Sequence, residues 1–273
     1  MKKKAKKRNM SRAAKILIAA AAVTAVAAAA VFAVFFSPLF SINNIEVQPL
    51  EHYPEERISS FLKDYIGKNG FRAVIGNSSL HQTKSFFSLE LVEAEEKILF
   101  ACPYLESVTV KFRPGHTVSV SAEERKSAFL TEFYDLYLLC DTHGVVLETF
   151  TRETVPEELP IVKGITPGDY KLGRSISDGR NDNIDTAIRF CRLLSQLDME
   201  SYIDIVDVSD YNNIRLYCAP SLTVIFGSMT DAGVKLSLTK GVMDKGVDGN
   251  SNATVTVADG RQATFVKNSG RED

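Results

Sequence analysis

The chain has 273 residues and a net charge of only −2, but the charge is unevenly placed. Residues 1–15 hold Lys2, Lys3, Lys4, Lys6, Lys7, Arg8, Arg12 and Lys15 with no acid, so the rest of the chain carries −10. A local basic cluster on an acidic body excludes a broadly basic nucleic-acid binder, and four well-separated cysteines exclude a disulfide framework.

From Ile16 to Phe36 no charge occurs, and the one hydroxyl is Thr24. As a helix this run spans about 31 Å, the thickness of a hydrocarbon core. Its polar backbone requires a helix in lipid, and alanine, which dominates it, is the best helix former. Ser37-Pro38 stops it. Cations before the span and none close after it set a cytoplasmic N-terminus and an exported body. The first fifteen residues then lie against anionic headgroups, not against nucleic acid. A cleaved signal peptide shares the basic start, but its apolar core is shorter, about 7–15 residues.

Beyond the anchor, Ile42, Ile45 and Val47 predict a short strand. Pro54 opens a helix over 55–66 with acids in its first turn, and Gly67 ends it. Residues 68–87 read as a long polar loop. A second helix over 88–101 turns Leu91, Val92, Ile98, Leu99 and Cys102 to one side, and Pro103 closes it. The apolar period then changes to two: Val108, Val110 and Phe112 face Val118 and Val120 across a turn at Arg113–His116. That is a hairpin.

From Lys126 the pattern is mainly strand, at 128–132, 136–140, 145–149, 203–208, 214–218, 222–226, 254–257 and 263–266. Helices are expected over 181–197 and 231–242, a Gly-rich loop over 244–252, and a frayed polar tail after 267. The fold class is α+β: one transmembrane helix, a small unit of strand–helix–helix–strand–strand order, then a mainly antiparallel β domain with helices on one side.

Little in the chain points to catalysis. His52, His81, His116 and His143 share no metal-ligand spacing, and Cys140 with His143 (a C-x-x-H) reads as turn chemistry. Adjacent Glu123 and Glu124 on a strand point to opposite faces. Glu93, Glu95 and Glu96 read as a solvated helix face. Gly241–Gly246 lacks the strand–loop–helix order of a phosphate loop, and no G-x-S-x-G occurs. Each cysteine falls on an apolar stretch, as a small buried hydrophobe does. No enzyme activity, cofactor, metal or small-molecule substrate is expected.

The order of short motifs resembles the bacterial cell-division family FtsQ/DivIB along nearly the whole chain. Phe40-Ser41-Ile42-Asn43-Asn44-Ile45-Glu46-Val47 resembles the family's opening strand. Pro103–Val110 and Arg113–Val120 resemble its P-x-x-x-x-V-x-V hairpin, and Glu124-Arg125 with Ala128 its E-R-x-P-x-A, although Ser127 stands where the proline would be. Leu138–Gly144 is similar to L-L-x-D-x-x-G, Leu159–Gly164 to L-P-x-I-x-G; Asp207-Val208-Ser209-Asp210, Val224-Ile225-Phe226-Gly227 and Lys235-Leu236 follow in order.

The resemblance implies a basic tail at 1–15, an anchor at 16–36, a POTRA domain at 41–125, a β domain at 126–267 and a flexible tail at 268–273. It implies a non-catalytic scaffold at the division septum that binds FtsL-like and DivIC/FtsB-like bitopic proteins outside the membrane and helps regulate septal peptidoglycan synthesis. The partner contact it implies lies on the last strands, at Thr254, Val255, Thr256, Val257, Arg261, Gln262, Ala263, Thr264 and Phe265. A strand near a C-terminus can be a sheet edge that receives an incoming segment. The competing readings are a POTRA-bearing export factor and a membrane-anchored hydrolase.

Overall fold

The computed structural model describes residues 11–77, 88–218, 221–244 and 253–267. Lys2, Lys3, Lys4, Lys6, Lys7 and Arg8, residues 78–87 of the expected loop, His81, the 245–252 part of the Gly-rich loop and the 268–273 tail lie outside the described residues. The chain divides into two compact units, residues 1–98 with 107–122 and residues 99–106 with 123–273.

In the first unit α1 (Arg12–Phe35) is the one described helix long and apolar enough to cross a bilayer. Ser11 caps it, its Oγ accepting from the Ala14 N–H, and Arg12 and Lys15 fall in its first turn. The Asn69 side chain closes its far end, Nδ2 donating to the carbonyls of Phe35 (3.1 Å) and Ser37 (2.8 Å). The Phe35 carbonyl is among those that a helix leaves without internal donors, and Ser37 lies two residues past the helix end.

Next come β1 (Asn44–Val47), α2 (Glu55–Ser60) with a 3-10 turn at Lys63–Tyr65, α3 (Gly70–Asn77), α4 (Val92–Ala101), β2 (Leu105–Arg113) and β3 (Thr117–Glu124). The strand order is β1–β3–β2, with β1 parallel to β3. Ile58, Leu62, Val74, Leu91, Ala94, Ile98, Val110, Phe112 and Val118 are buried in this unit.

Two expectations are corrected here. Residues 70–77 are a helix, not loop. Asn69 Oδ1 accepts from the Arg72 N–H, capping α3, and Phe71 and Val74 are buried from it. Gly70 is required where α3 starts, since a Cβ there would lie 2.3 Å from the Phe112 ring. Glu95 is not on a solvated face. It is half-buried, and its carboxylate accepts from the Val110 N–H at 2.7 Å. Burial raises its pKa despite that bond. Glu93, paired with Lys97, and Glu96 are exposed as expected.

The second unit is built on a nine-stranded sheet. In chain order its strands are β4 (Ser127–Phe133), β5 (Leu136–Asp141), β6 (Val146–Thr151), β7 (Ile161–Lys163), β8 (Ile205–Asp207), β9 (Ile214–Cys218), β10 (Leu222–Gly227), β11 (Ala253–Thr256) and β12 (Thr264–Lys267). Helices α5 (Asp182–Gln196) and α6 (Ala232–Asp244) connect β7 to β8 and β10 to β11. Across the sheet the order is β12–β11–β10–β9–β8–β7–β4–β5–β6.

The sheet is mixed, with antiparallel neighbours in the majority as expected and three parallel pairs that were not foreseen. Pairs β4·β7, β7·β8 and β10·β11 are parallel, and the other neighbours are antiparallel. For β7·β8 and β10·β11 the physical reason lies in the two helices. Each carries the chain back along the sheet, so the next strand starts from the same end as the last. Ile184, Phe190, Cys191, Leu194 and Leu236 from the helices share one core with Leu138, Val162, Val206, Leu216, Val224 and Val255. On the opposite face Leu130, Leu139, Val145 and Leu147 form a smaller cluster with Val155 and Leu159 packed on it.

Candidate functional site

Alternation within the last three strands decides what each candidate residue does. In β11, Ala253 and Val255 are buried, as is Val257 just beyond it, while Thr254 and Thr256 are half-buried. Val255 sits opposite Val224 of β10 on one side and opposite Phe265 of β12 on the other. Residues directly opposite across strands point to the same face. Phe265 therefore ends a row of apolar side chains that runs Val206, Leu216, Val224, Val255 under the helices.

The row stops in the open. Thr264, Phe265, Val266 and Lys267 are all exposed, Phe265 by 49% and Val266 by 55%. Among the described residues β12 pairs with β11 alone. Its outer N–H and C=O groups form an edge of the kind that templates pairing with another segment.

The nine residues implied as partner contact thus stand in different places. Val255 and Val257 belong to the core, and Thr254 and Thr256 lie one strand inside the edge. Arg261 and Gln262 are exposed in the turn before β12, where Asp259 Oδ1 accepts from both backbone N–H groups (3.1 and 3.5 Å). Those bonds, the one from Arg261 first, hold the Asp259 carboxyl below its ordinary value. Ala263 is half-buried against the core, and Thr264 and Phe265 are on the edge itself. Val266 and Lys267 complete the edge beyond Phe265, where the strand's alternation continues.

Lys235 supports this corner from below. It is 2% exposed, its Nζ donates to the Ser228 carbonyl at 2.9 Å and sits 5.2 Å from the centre of the Phe226 ring. Burial pulls the ammonium's pKa down, against the opposing pull of Asp231 and Asp259. The resembling Lys-Leu pair is therefore part of the core beneath the edge, with Leu236 fully buried beside it.

The other resembling motifs meet in pairs as well. Arg125 Nη1 donates to Asp141 Oδ2 at 2.8 Å, while Asp141 Oδ1 accepts from the N–H groups of His143 (2.7 Å) and Val145 (2.8 Å). That accounts for the C-x-x-H string: Asp141 organises the turn, and Cys140 is buried away from it. Gly164, at φ +83°, passes so close to Ser209 that a Cβ would meet its backbone N at 2.2 Å. Asn183 Nδ2 ties the Gly164 and Ser209 carbonyls together.

The remaining chemistry is engaged in holding the fold. Burial pushes the Cys140 thiol well up, Cys191 up, and Cys218 up to about 12, so none of these free thiols is a ready nucleophile. Cys102 is buried too. The expectation that the chain holds no S-x-x-K is wrong: Ser60-Phe61-Leu62-Lys63 and Ser237-Leu238-Thr239-Lys240 both have that spacing, and Ser60 Oγ donates to the Arg57 carbonyl. Ser237 Oγ donates to the Gly233 carbonyl and Lys240 Nζ to that of Leu197, so the two do not act on each other. An open groove of about 510 Å³ beside α5 is lined by His143, Ser177, Asp182, Asp185, Arg189 and Arg192. Its guanidinium groups already donate to Asp185 O, Thr186 Oγ1 and Thr142 O.

No protein-family model matches the chain, and no curated protein matches it.

Proposed function

We propose that this protein is a single-pass, type II membrane scaffold of the FtsQ/DivIB kind, acting at the division septum. Its partners are FtsL-like and DivIC/FtsB-like bitopic proteins outside the membrane, and through them it helps regulate septal peptidoglycan synthesis. It takes no cofactor and no nucleic acid, and it acts by docking, not catalysis. The observation that carries the reading is the bare β12 edge at the end of a nine-stranded sheet. The order β1–β3–β2 with helices between β1 and β2 supports the POTRA label for the first unit. The long apolar α1 supports the anchor.

The mechanism is strand addition. An incoming extended segment completes the outer hydrogen bonds of β12 and covers Phe265 on one face and Val266 on the other. Burying those exposed halves contributes on the order of 1 kcal/mol each. The backbone bonds fix direction and register, and the side-chain alternation selects the partner.

The test is recovery of partners from membranes on the tagged full-length chain, wild type against Phe265→Asp with Val266→Lys. Both side chains are exposed, so the variant should melt like wild type while losing FtsL-like and DivIC-like proteins. Undiminished recovery on a normally melting variant would sink the edge as the docking site. Recovery of outer-membrane precursors instead would favour the export-factor reading.

A further inference from the structure

An apolar groove lies within the first unit where α1 meets α3. Its walls are Ala28, Val31, Phe32, Phe35 and Phe36 from the end of α1, and Phe71 and Ile75 from α3, enclosing about 380 Å³. The two helices are fixed to each other. The Phe71 ring stands edge-on to Phe35 (4.8 Å), Phe40 (5.1 Å) and Phe112 (5.4 Å), and Asn69, which caps α3, also closes the last carbonyls of α1.

We propose that this groove binds an acyl chain of a phospholipid in the leaflet on the C-terminal side of α1; the proposal rests on α1 being a membrane span. Ala28 lies eight residues before Phe36, so the groove reaches about 12 Å down the span. At that depth no water is present to fill it, and its lining offers hydrocarbon and aromatic surface only. A second helix is the poorer fit. Helices pack in membranes through small residues that let backbones approach, whereas four of the seven residues here are phenylalanines. A flexible chain fills such an irregular wall. Exposed Lys68 and Arg72, at the start of α3, supply positive charge for the phosphate of the same lipid.

The sequence contains no tryptophan, so one introduced indole is a unique reporter. The full-length chain is reconstituted into phosphatidylcholine vesicles carrying acyl-brominated lipid, as Ile75→Trp, Val23→Trp or Tyr134→Trp. Ile75 and Tyr134 are 45% and 92% exposed, and Val23 lies mid-span, so each site tolerates the ring. Emission from Ile75→Trp should fall at least about twofold below that of Tyr134→Trp, as for an indole inside a hydrocarbon core ~30 Å thick. Adding Ala28→Phe, which fills the groove from the span, should restore most of that emission. Quenching unchanged by Ala28→Phe means α3 merely rests on the bilayer, and overturns the groove. Quenching of Val23→Trp alone overturns the proposal while leaving the anchor standing. An unquenched Val23→Trp overturns the anchor itself.

Discussion

The two ends of the nine-stranded sheet are treated differently. At the β6 end the chain folds back against the start of the strand: the Val146 N–H donates to the Arg174 carbonyl, the Gly173 N–H to that of Val146, and the Ile176 N–H to that of Gly144. At the β12 end the last strand displays four exposed residues, two of them large and apolar. Native sheets usually blunt, cover or charge such an edge, because a bare one recruits other chains. Among the described residues the same unit closes off the start of one edge strand and leaves the other edge open, which teaches that the open end is not a general failure to protect. The docking role proposed above would account for the contrast.

Substitutions can break or sharpen this contrast. The largest effect is expected from Val257→Lys, which puts an unpaired ammonium into the core beside the edge; a loss of about 4 kcal/mol or more should appear as a collapsed thermal transition. A melt within a few degrees of wild type would mean that this corner is not packed as described. At the covered end Asp141→Ala leaves Arg125 without its partner and two turn N–H groups without an acceptor. Breaking that contact, with Asp141 2% and Arg125 17% exposed, should cost about 3 kcal/mol, read by denaturant unfolding.

Val266→Lys belongs to the bare edge and should change stability by no more than about 0.5 kcal/mol, as surface changes do. A larger loss would show that β12 is held by contacts on its outer side. The smallest effect concerns pH. Asp259 carries a folded-state pKa depressed below its ordinary 3.8, so its stabilisation of the β11–β12 turn is present above 3.8 and fades as pH falls through the lowered value. The protection of β12 amides, taken relative to their intrinsic exchange rate at each pH, should therefore fall on acidification through that window, more than that of β6 amides. Asp259→Asn should remove the difference.

Much of the fold was legible in the sequence because single elements carry strong periods. Val108, Val110 and Phe112 against Val118 and Val120 made the hairpin plain, and Ile184, Ile188, Cys191 and Leu194 drew the buried face of α5. What was not legible needed a third dimension. Asn69 followed by Phe71, Val74 and Ile75 is a cap ahead of a helical stripe, yet glycines and polar neighbours masked it. β7 is only three residues long, so the β7–α5–β8 crossover that makes neighbours parallel was not seen. Glu95 reads as surface until Val110 donates to it across fifteen residues. The candidate site was half legible. That Val255 and Val257 are core whereas Phe265 and Val266 are edge depends on where the sheet ends, and strand order is not written in any local pattern.

The closure of α1 by Asn69 has a consequence for how the anchor behaves. A helix that ends in a loose tether can spin under its cargo; this one is clamped by a side chain reaching back from thirty-two residues along the chain and by a knot of four phenylalanine rings. With α1 in a bilayer as proposed, any roll or tilt imposed on it would be handed on to the small three-stranded sheet as torque, with no swivel in between to absorb it.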